Sequence, residues 1–439
     1  MSGLVSLDCY RERVRVPPPQ LEGQVTDVLG LLIEGVAPGA AVGDLYDVQG
    51  RSARVIAEVV ALKGKKAIFM PFGHSAGLHI GARLTPAGVA SKVPVSEGLK
   101  GRVIDALGRP LDGKPLPRAE ARVPVYRNPL PPMERRSVVD HLSLGLRALD
   151  AFVPCGQGQR LGIFAGPGVG KTVLLGTIAK LASADVVVLG LVGERGREVG
   201  HFVQSVLGPE GMKKSVLVVS TSDRPPPERV RAAFVATTIA EYFRDLGMSV
   251  LLFVDSLTRF CMAQREIGLA VGEPPATKGY PPSAFALMPR LLERAGPSLD
   301  RGSVTGIYTV LVEGDDLADP VADAARSLLD GHIVLSRRLA ERGHYPAIDV
   351  LQSLSRLEGS LLPAADLIAA RKVRSWLTRL EESRDLISVG AYRPGADPEL
   401  DTALRMAKRI TDFLVQDASQ KAPLADTKAK LLSLVKEGP

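Results

Sequence analysis

Residues 159–172 read QRLGIFAGPGVGKT, an order that sets a phosphate-binding turn between a buried strand and a helix. Leu161, Ile163, Phe164 and Ala165 supply the apolar strand. Gly166, Pro167, Gly168, Val169 and Gly170 form the turn, and Lys171, Thr172 and Val173 open a helix that runs to Ser183. Successive backbone N–H groups in such a turn point at one anion, and the helix dipole favours negative charge at this end. Lys171 is a point charge for β- and γ-phosphates, and the Thr172 hydroxyl takes one place on Mg²⁺, a cation that keeps most of its waters. Ala165 stands where the G-x-x-x-x-G-K-[ST] pattern begins with glycine. A Cβ is costly at positive φ, so Ala165 is expected to stay extended and the strain to fall on Gly166, Gly168 and Gly170.

Two carboxylates complete a hydrolytic set. Asp255 ends the run VLLFVD, at the carboxyl edge of a buried strand, where it can hold the Mg²⁺ shell beside Thr172. Glu194 follows VVVLGLV at the same edge of another strand, placed to orient and polarise a water attacking a γ-phosphate. Arg195 and Arg197 flank it, and Glu198 is positioned for the metal's outer water. A strand-ending aspartate or a charged turn is uninformative alone. Beside a phosphate turn, at the sheet edge where α/β proteins bind ligands, the group reads as chemistry.

Gathering these residues requires a parallel sheet. The runs LGIFA (161–165), VVVLGLV (186–192), VLVVST (216–221), VLLFVD (250–255), GIYTVLV (306–312) and HIVLS (332–336) are continuously apolar, as strands covered on both faces must be. Helical segments separate most of them, the clearest over 225–246, with prolines in its first turn and Gly247 past its end. The fold class is therefore α/β: a RecA-like P-loop core with a mostly parallel sheet over 133–360. Ahead of it, 22–95 has short alternating runs punctuated by glycine, the rhythm of a small β-barrel, and 96–132 reads as a linker into the core. Residues 361–439 carry only amphipathic helices, with Trp376 as core. Residues 1–21, with Arg11, Arg13, Arg15 and Pro17–Pro19, form an N-terminal arm, either a docking segment or a frayed end.

Composition narrows the class. A chain of 439 residues with 45% apolar and 23% charged residues is an ordinary multidomain globular protein. The net charge of +7 is scattered and lacks the aromatic interleaving of a nucleic-acid stacking platform, so it reads as solvated surface. Cys9, Cys155 and Cys261 form neither a disulfide framework nor a zinc site, which points to a reducing, cytoplasmic setting. No apolar run has bilayer length, so any membrane association is expected to be peripheral.

AGPGVGKT, GERGREV (193–199), DSLTRF (255–260), GEPPATKGYPPSAF (272–285), DGHIVLSR (330–337) and HYPAIDVLQSLSR (344–356) together resemble the ATPase of the flagellar and virulence type III protein-export apparatus. That family is similar in turn to the catalytic β subunit of rotary ATPases. The resemblance spans about residues 22–416, and GEPPATKGYPP leans towards the flagellar branch. It implies ATP and Mg²⁺ as cofactors, with Lys171 and Thr172 on phosphate and metal, Asp255 as the metal carboxylate, Glu194 as the catalytic carboxylate, and Arg195 and Glu198 in support. By the same resemblance Tyr345 packs on adenine, Phe413 is the candidate for its second wall, and Arg356 is the arginine finger presented to a neighbouring subunit. The implied assembly is a homohexameric ring at the cytoplasmic face of the inner membrane, touching the export gate. It has a stator-like regulatory protein, a central stalk protein and export chaperone–cargo complexes as partners, and no nucleic acid. Carrying both Glu194 and Arg356 on one chain independently favours copies that complete one another's sites.

Three other readings share parts of this pattern. A rotary-ATPase catalytic subunit needs a distinct non-catalytic partner chain. An RNA translocase needs an aromatic RNA face that the barrel sequence lacks. A nucleotide-gated scaffold has no use for Glu194.

Overall fold

The protein, as a computed structural model, is described over residues 22–51, 54–87, 91–312 and 319–438. The arm expected over 1–21, with Cys9, lies outside these residues. The chain forms two compact units, divided between residues 90 and 91.

In the first unit, strands β1 (Gly23–Leu29), β2 (Leu32–Val36), β3 (Leu45–Gln49), β4 (Arg54–Lys63), β5 (Lys66–Pro71) and β6 (Arg83–Pro86) close into a barrel in the order β1-β2-β5-β4-β3-β6. Alternation sends Val25, Ile33, Val48, Val59, Phe69 and Leu84 inward, and Tyr46 meets Phe69 edge to face at 5.3 Å. Closure leaves no free strand edge.

The sequence places the end of the barrel near residue 95, whereas the structure closes it at Pro86. Strand β7 (Lys92–Val95) belongs to the second unit. The expected linker is also more than a connection: β8 (Val103–Ile104) joins the central sheet, and β9 (Ala121–Pro124) pairs with β7. These strands are too short to leave a periodic signal. Arg102 pins this segment by donating to both oxygens of Asp112, at 2.7 and 2.9 Å, and to the Lys114 and Pro115 carbonyls.

The second unit is built on β10 (Arg160–Ala165), β11 (Val186–Val192), β12 (Ser215–Ser220), β13 (Ser249–Asp255), β14 (Gly296–Pro297), β15 (Ser303–Leu311), β16 (Gly331–Leu335) and β17 (Ile348–Ser355). Their order with β8 is β17-β16-β10-β15-β13-β11-β12-β8, parallel except for β17 on β16 and the short β14 on β15. β11 and β12 are buried at every residue, which is why their sequences are continuously apolar. Helix Pro226–Asp245 packs on β11, β12 and β13; its prolines need no N–H in the first turn, and Gly247 follows its end at φ 89°.

Helices Ala364–Glu382, Pro398–Leu414 and Leu424–Lys436 follow the sheet. Asp397 caps the second by accepting from the Glu399 and Leu400 amides at 3.0 and 3.1 Å. Trp376 is fully buried in an apolar cluster that continues from Leu161 and Ile163 through Phe152 to Met406 and Ile410. One hydrophobic core thus joins the sheet to the C-terminal helices. Among the described residues, no helix is long and apolar enough to cross a membrane.

Candidate active site

The phosphate turn leaves β10 at Ala165 and enters helix Lys171–Leu181 through Gly170, whose backbone is left-handed at φ 89° and ψ 16°. Gly168 is the other left-handed residue of the turn, at φ 78°, whereas Gly166 does not share that conformation. The strain therefore falls on two of the three glycines expected to carry it. No side chain caps the helix, so its first-turn N–H groups remain available to an anion. Val169 is buried and can offer a ligand only its main chain, while Pro167, Thr172 and Val173 are exposed at the mouth of the turn.

Lys171 lies between the two carboxylates. Its Nζ is 2.5 Å from Asp255 Oδ1 and 3.3 Å from Glu194 Oε1. Burial opposes the Lys171 charge, yet Asp255 and Glu194 together lift its pKa above the usual lysine value. Burial also raises the pKa of Glu194; Lys171 and Arg259 pull it down, while Asp255 and a hydrogen bond shared with Glu198 push it up. A raised carboxylate is a stronger base towards water, as a residue that polarises a nucleophile requires.

The fold delivers each group to one edge. β13 runs parallel to both β11 and β15, so Asp255 at its end and Glu194 after β11 emerge side by side. Gly193 turns the chain at φ 72°, and its N–H donates to Ser220 O at 2.7 Å while Ser222 N–H donates to Glu194 O at 3.0 Å. Arg195 and Glu198 pair with each other at 3.6 Å on the exposed side of Glu194.

Two polar neighbours were missed by the sequence reading. Arg259 Nη1 lies 3.3 Å from Glu194 Oε2 and also donates to Gly193 O. Thr309 donates to Asp255 Oδ1 at 2.5 Å. Arg259 falls within the DSLTRF string, and Thr309 is a small hydroxyl residue that follows Tyr308 inside the otherwise apolar run GIYTVLV. That interruption is a usable signal, because a buried hydroxyl needs a partner.

Tyr345 stands beside the turn: a Cβ on Gly170 would lie 3.4 Å from its ring. The residue is 46% exposed, which leaves its side chain accessible to a flat ligand. Phe413 is a correction. It is buried, meets Phe152 edge to face at 6.2 Å and carries Arg147 over its ring at 6.0 Å, so it is core and not an open wall. The chain beyond it reaches Tyr345, with Gln416 N–H donating to Tyr345 O at 3.0 Å. Arg147 Nε holds this turn through Phe413 O at 2.6 Å, and Gln416 accepts from the Arg147 amide at 2.9 Å.

Arg356 lies away from the turn. Ala165 pairs with Leu335 whereas Ser355 pairs with Gly331, so Arg356 sits at the opposite end of β16, about 13 Å along the sheet at ~3.3 Å per residue. Its side chain is exposed and donates to Arg326 O at 3.1 Å. A cavity of ≈ 450 Å³ between β17 and the C-terminal helices, lined by Arg338, His344, Leu377 and Val415 among others, contains none of Lys171, Glu194 and Asp255 and is not the reaction site.

Comparison with known proteins gives the family. The nucleotide-binding domain of the ATP synthase alpha/beta family matches residues 145–355, and the T3SS EscN ATPase C-terminal domain matches residues 362–433. The chain is 48% identical over 438 residues to the flagellum-specific ATP synthase of Pseudomonas aeruginosa, covering 98% of this chain and 97% of that one. It is 47% identical over 413 residues to the SPI-2 type 3 secretion system ATPase of Salmonella typhimurium, covering 93% and 94%. The chain belongs to the flagellar and type III secretion ATPase family. Within that family, the structure of the assembled ATPase EscN from enteropathogenic E. coli matches with a TM-score of 0.87 at 44% identity, over 94% of this chain and 100% of that one. A second EscN structure, solved with its central stalk EscO, matches with the same TM-score at 43% identity.

Proposed function

We propose that this ATPase hydrolyses Mg·ATP in clefts shared between identical subunits of a hexameric ring, and that the ring energises protein export through a flagellar or type III secretion apparatus. The observation that carries the reading is Lys171 clasped by Glu194 and Asp255 at an uncapped helix N-terminus. The arrangement has the charge and hydrogen-bond donors that a triphosphate needs, with a carboxylate of raised basicity beside them.

The donor set fits the metal carried by the substrate. Thr172 offers a hydroxyl and Asp255 a carboxylate, both hard oxygen ligands of the kind Mg²⁺ accepts. Bound there, the metal supplies charge neutralisation on the phosphates. In the free site Lys171 neutralises the two carboxylates, and on substrate binding its Nζ turns to the β- and γ-phosphates. Glu194 orients water, Glu198 and Arg195 hold the outer side of that carboxylate, and Tyr345 covers the adenine. The segment beyond Phe413, around Gln416, closes the opposite side of the base.

Arg356 serves the neighbouring subunit. Its distance from its own phosphate turn supports action in trans, and such a finger supplies roughly 10³ to 10⁵ in rate, about 4 to 7 kcal/mol of barrier. The family relationship supports a central stalk partner, since EscN has been solved with EscO. It is also the basis for a stator-like regulator, for chaperone–cargo delivery and for a location at the cytoplasmic face of the inner membrane.

Glu194→Gln tests the site directly. It should retain Mg·ATP binding within about threefold while hydrolysis falls at least about a hundredfold, by the size of a lost general base. A variant that hydrolyses ATP at the wild-type rate would remove Glu194 from the mechanism.

A further inference from the structure

Asp255 receives two hydrogen bonds, and both arrive at the same oxygen. Lys171 Nζ and the Thr309 hydroxyl each lie 2.5 Å from Oδ1, and among the described residues no donor reaches Oδ2. Thr309 is fully buried on β15, where the parallel register sets Val254 against Tyr308 and so brings Thr309 beside Asp255. Along the strand Ile307, Val310 and Leu311 are apolar, and the adjacent Tyr308 is fully buried. A valine would occupy the same space, so the hydroxyl has to be explained. Val254 O, the other acceptor within reach, is 3.4 Å away, beyond the usual range for an O–H donor. The carboxylate is thus the main partner of this hydroxyl.

The two donors differ in what they do next. On the proposed reading Lys171 leaves the carboxylates for the phosphates when substrate binds. Thr309 cannot leave, because it is fixed in the sheet. We propose that Thr309 is a positioning residue that anchors Asp255 Oδ1 throughout turnover, leaving Oδ2 as the oxygen offered to the metal's water shell. This inference rests on the assignment of Asp255 as the metal carboxylate. Partners that orient a metal-binding carboxylate typically change metal affinity by about 10- to 100-fold when removed, and the effect here falls at the lower end because Lys171 still orders the free site.

The test titrates Mg²⁺ against a fixed concentration of a fluorescent ATP analogue and reads nucleotide binding in place of turnover. Thr309→Val should raise the Mg²⁺ concentration for half-maximal binding about tenfold. Its nucleotide affinity in EDTA should stay within about twofold of wild type, and Thr309→Ser should restore the wild-type curve. A purely structural role would instead weaken binding equally with and without Mg²⁺, and that result overturns the inference. So does a Mg²⁺ midpoint within twofold of wild type. If the valine variant does not fold, Thr309→Ala is read in the same titration with the same criteria. Wild-type protein whose nucleotide binding ignores Mg²⁺ would remove the hydrolase reading and this inference with it. Mg²⁺-dependent wild type with an unshifted variant removes the inference alone.

Discussion

Lys171→Ala has a consequence beyond lost nucleotide binding, because in the free protein this lysine is the cation shared by Glu194 and Asp255. Its Nζ lies 3.3 Å from one carboxylate and 2.5 Å from the other, and both acids are largely buried. Removing one partner of a buried ion pair costs about 3–5 kcal/mol, chiefly because the charge left behind is unpaired. Arg259 remains 3.3 Å from Glu194, so the lower figure applies. At ~2.1 cal/mol/K of unfolding entropy per residue, about 3 kcal/mol is a fall of about 4 °C in Tm for a body of roughly 350 residues.

The loss should depend on pH in a definite direction. Burial already raises the pKa of Glu194, and removing the Lys171 cation raises it further. A carboxyl whose pKa rises on folding contributes fully below its unfolded pKa and loses that contribution as pH climbs through the folded one. The deficit of Lys171→Ala should therefore shrink as the pH is lowered and Glu194 takes up a proton, and grow as the pH is raised towards about 8. Adding Glu194→Gln to the lysine variant should restore about half of the lost stability at the higher pH, by removing one of the two unpaired charges. Differential scanning calorimetry of the four proteins in the cycle measures each step. A lysine variant that melts within about 1 °C of wild type at pH 8, or one whose deficit grows on acidification, would refute the reasoning.

Burial pushes the Glu228 carboxyl up to about 7, and its Oε2 is enclosed without a hydrogen-bond partner; this raised group stabilises below its unfolded pKa and ceases to as pH passes about 7. Glu228→Gln should therefore match wild type near pH 4 and gain about 3 kcal/mol near pH 8.5, one pKa unit being ~1.4 kcal/mol, as read by thermal melting at the two pH values. Tyr345 and Phe413 should separate cleanly. Tyr345→Ala should raise KM for ATP about tenfold, the loss of about 1.4 kcal/mol of stacking, with little change in Tm. Phe413→Ala should cost about 3–5 kcal/mol of stability as a core cavity, and a nucleotide defect without a stability defect would return Phe413 to the binding site.

The central strands were legible because burial on both faces leaves an unbroken apolar run. VVVLGLV and VLLFVD fall on β11 and β13, with Glu194 and Asp255 at the edge expected of them. The phosphate turn was legible because glycine, lysine and threonine at fixed spacing answer a specific steric and electrostatic need. β17 escaped as a strand because it is a sheet edge, with Leu351, Gln352 and Leu354 exposed, and its apolar pattern is broken accordingly. β8 escaped because two residues carry no period. Phe413 was misplaced because an aromatic residue on an amphipathic helix has the same sequence signature whether it faces core or ligand; only its contacts with Phe152 and Arg147 decide. Arg259 and Thr309 work through contacts across strands and turns, which spacing along the chain does not reveal.

Complementation between two inactive subunits measures the shared cleft most directly. Arg356→Ala and Glu194→Gln should each be nearly inactive as pure proteins. Mixed in equal amounts and allowed to co-assemble, they should regain ATPase activity of up to about a quarter of wild type, because random pairing sets an intact Glu194 against an intact neighbouring Arg356 at roughly one interface in four. Mixed oligomers shown to contain both chains, yet with no activity above that of either variant alone, would contradict a cleft built by two subunits.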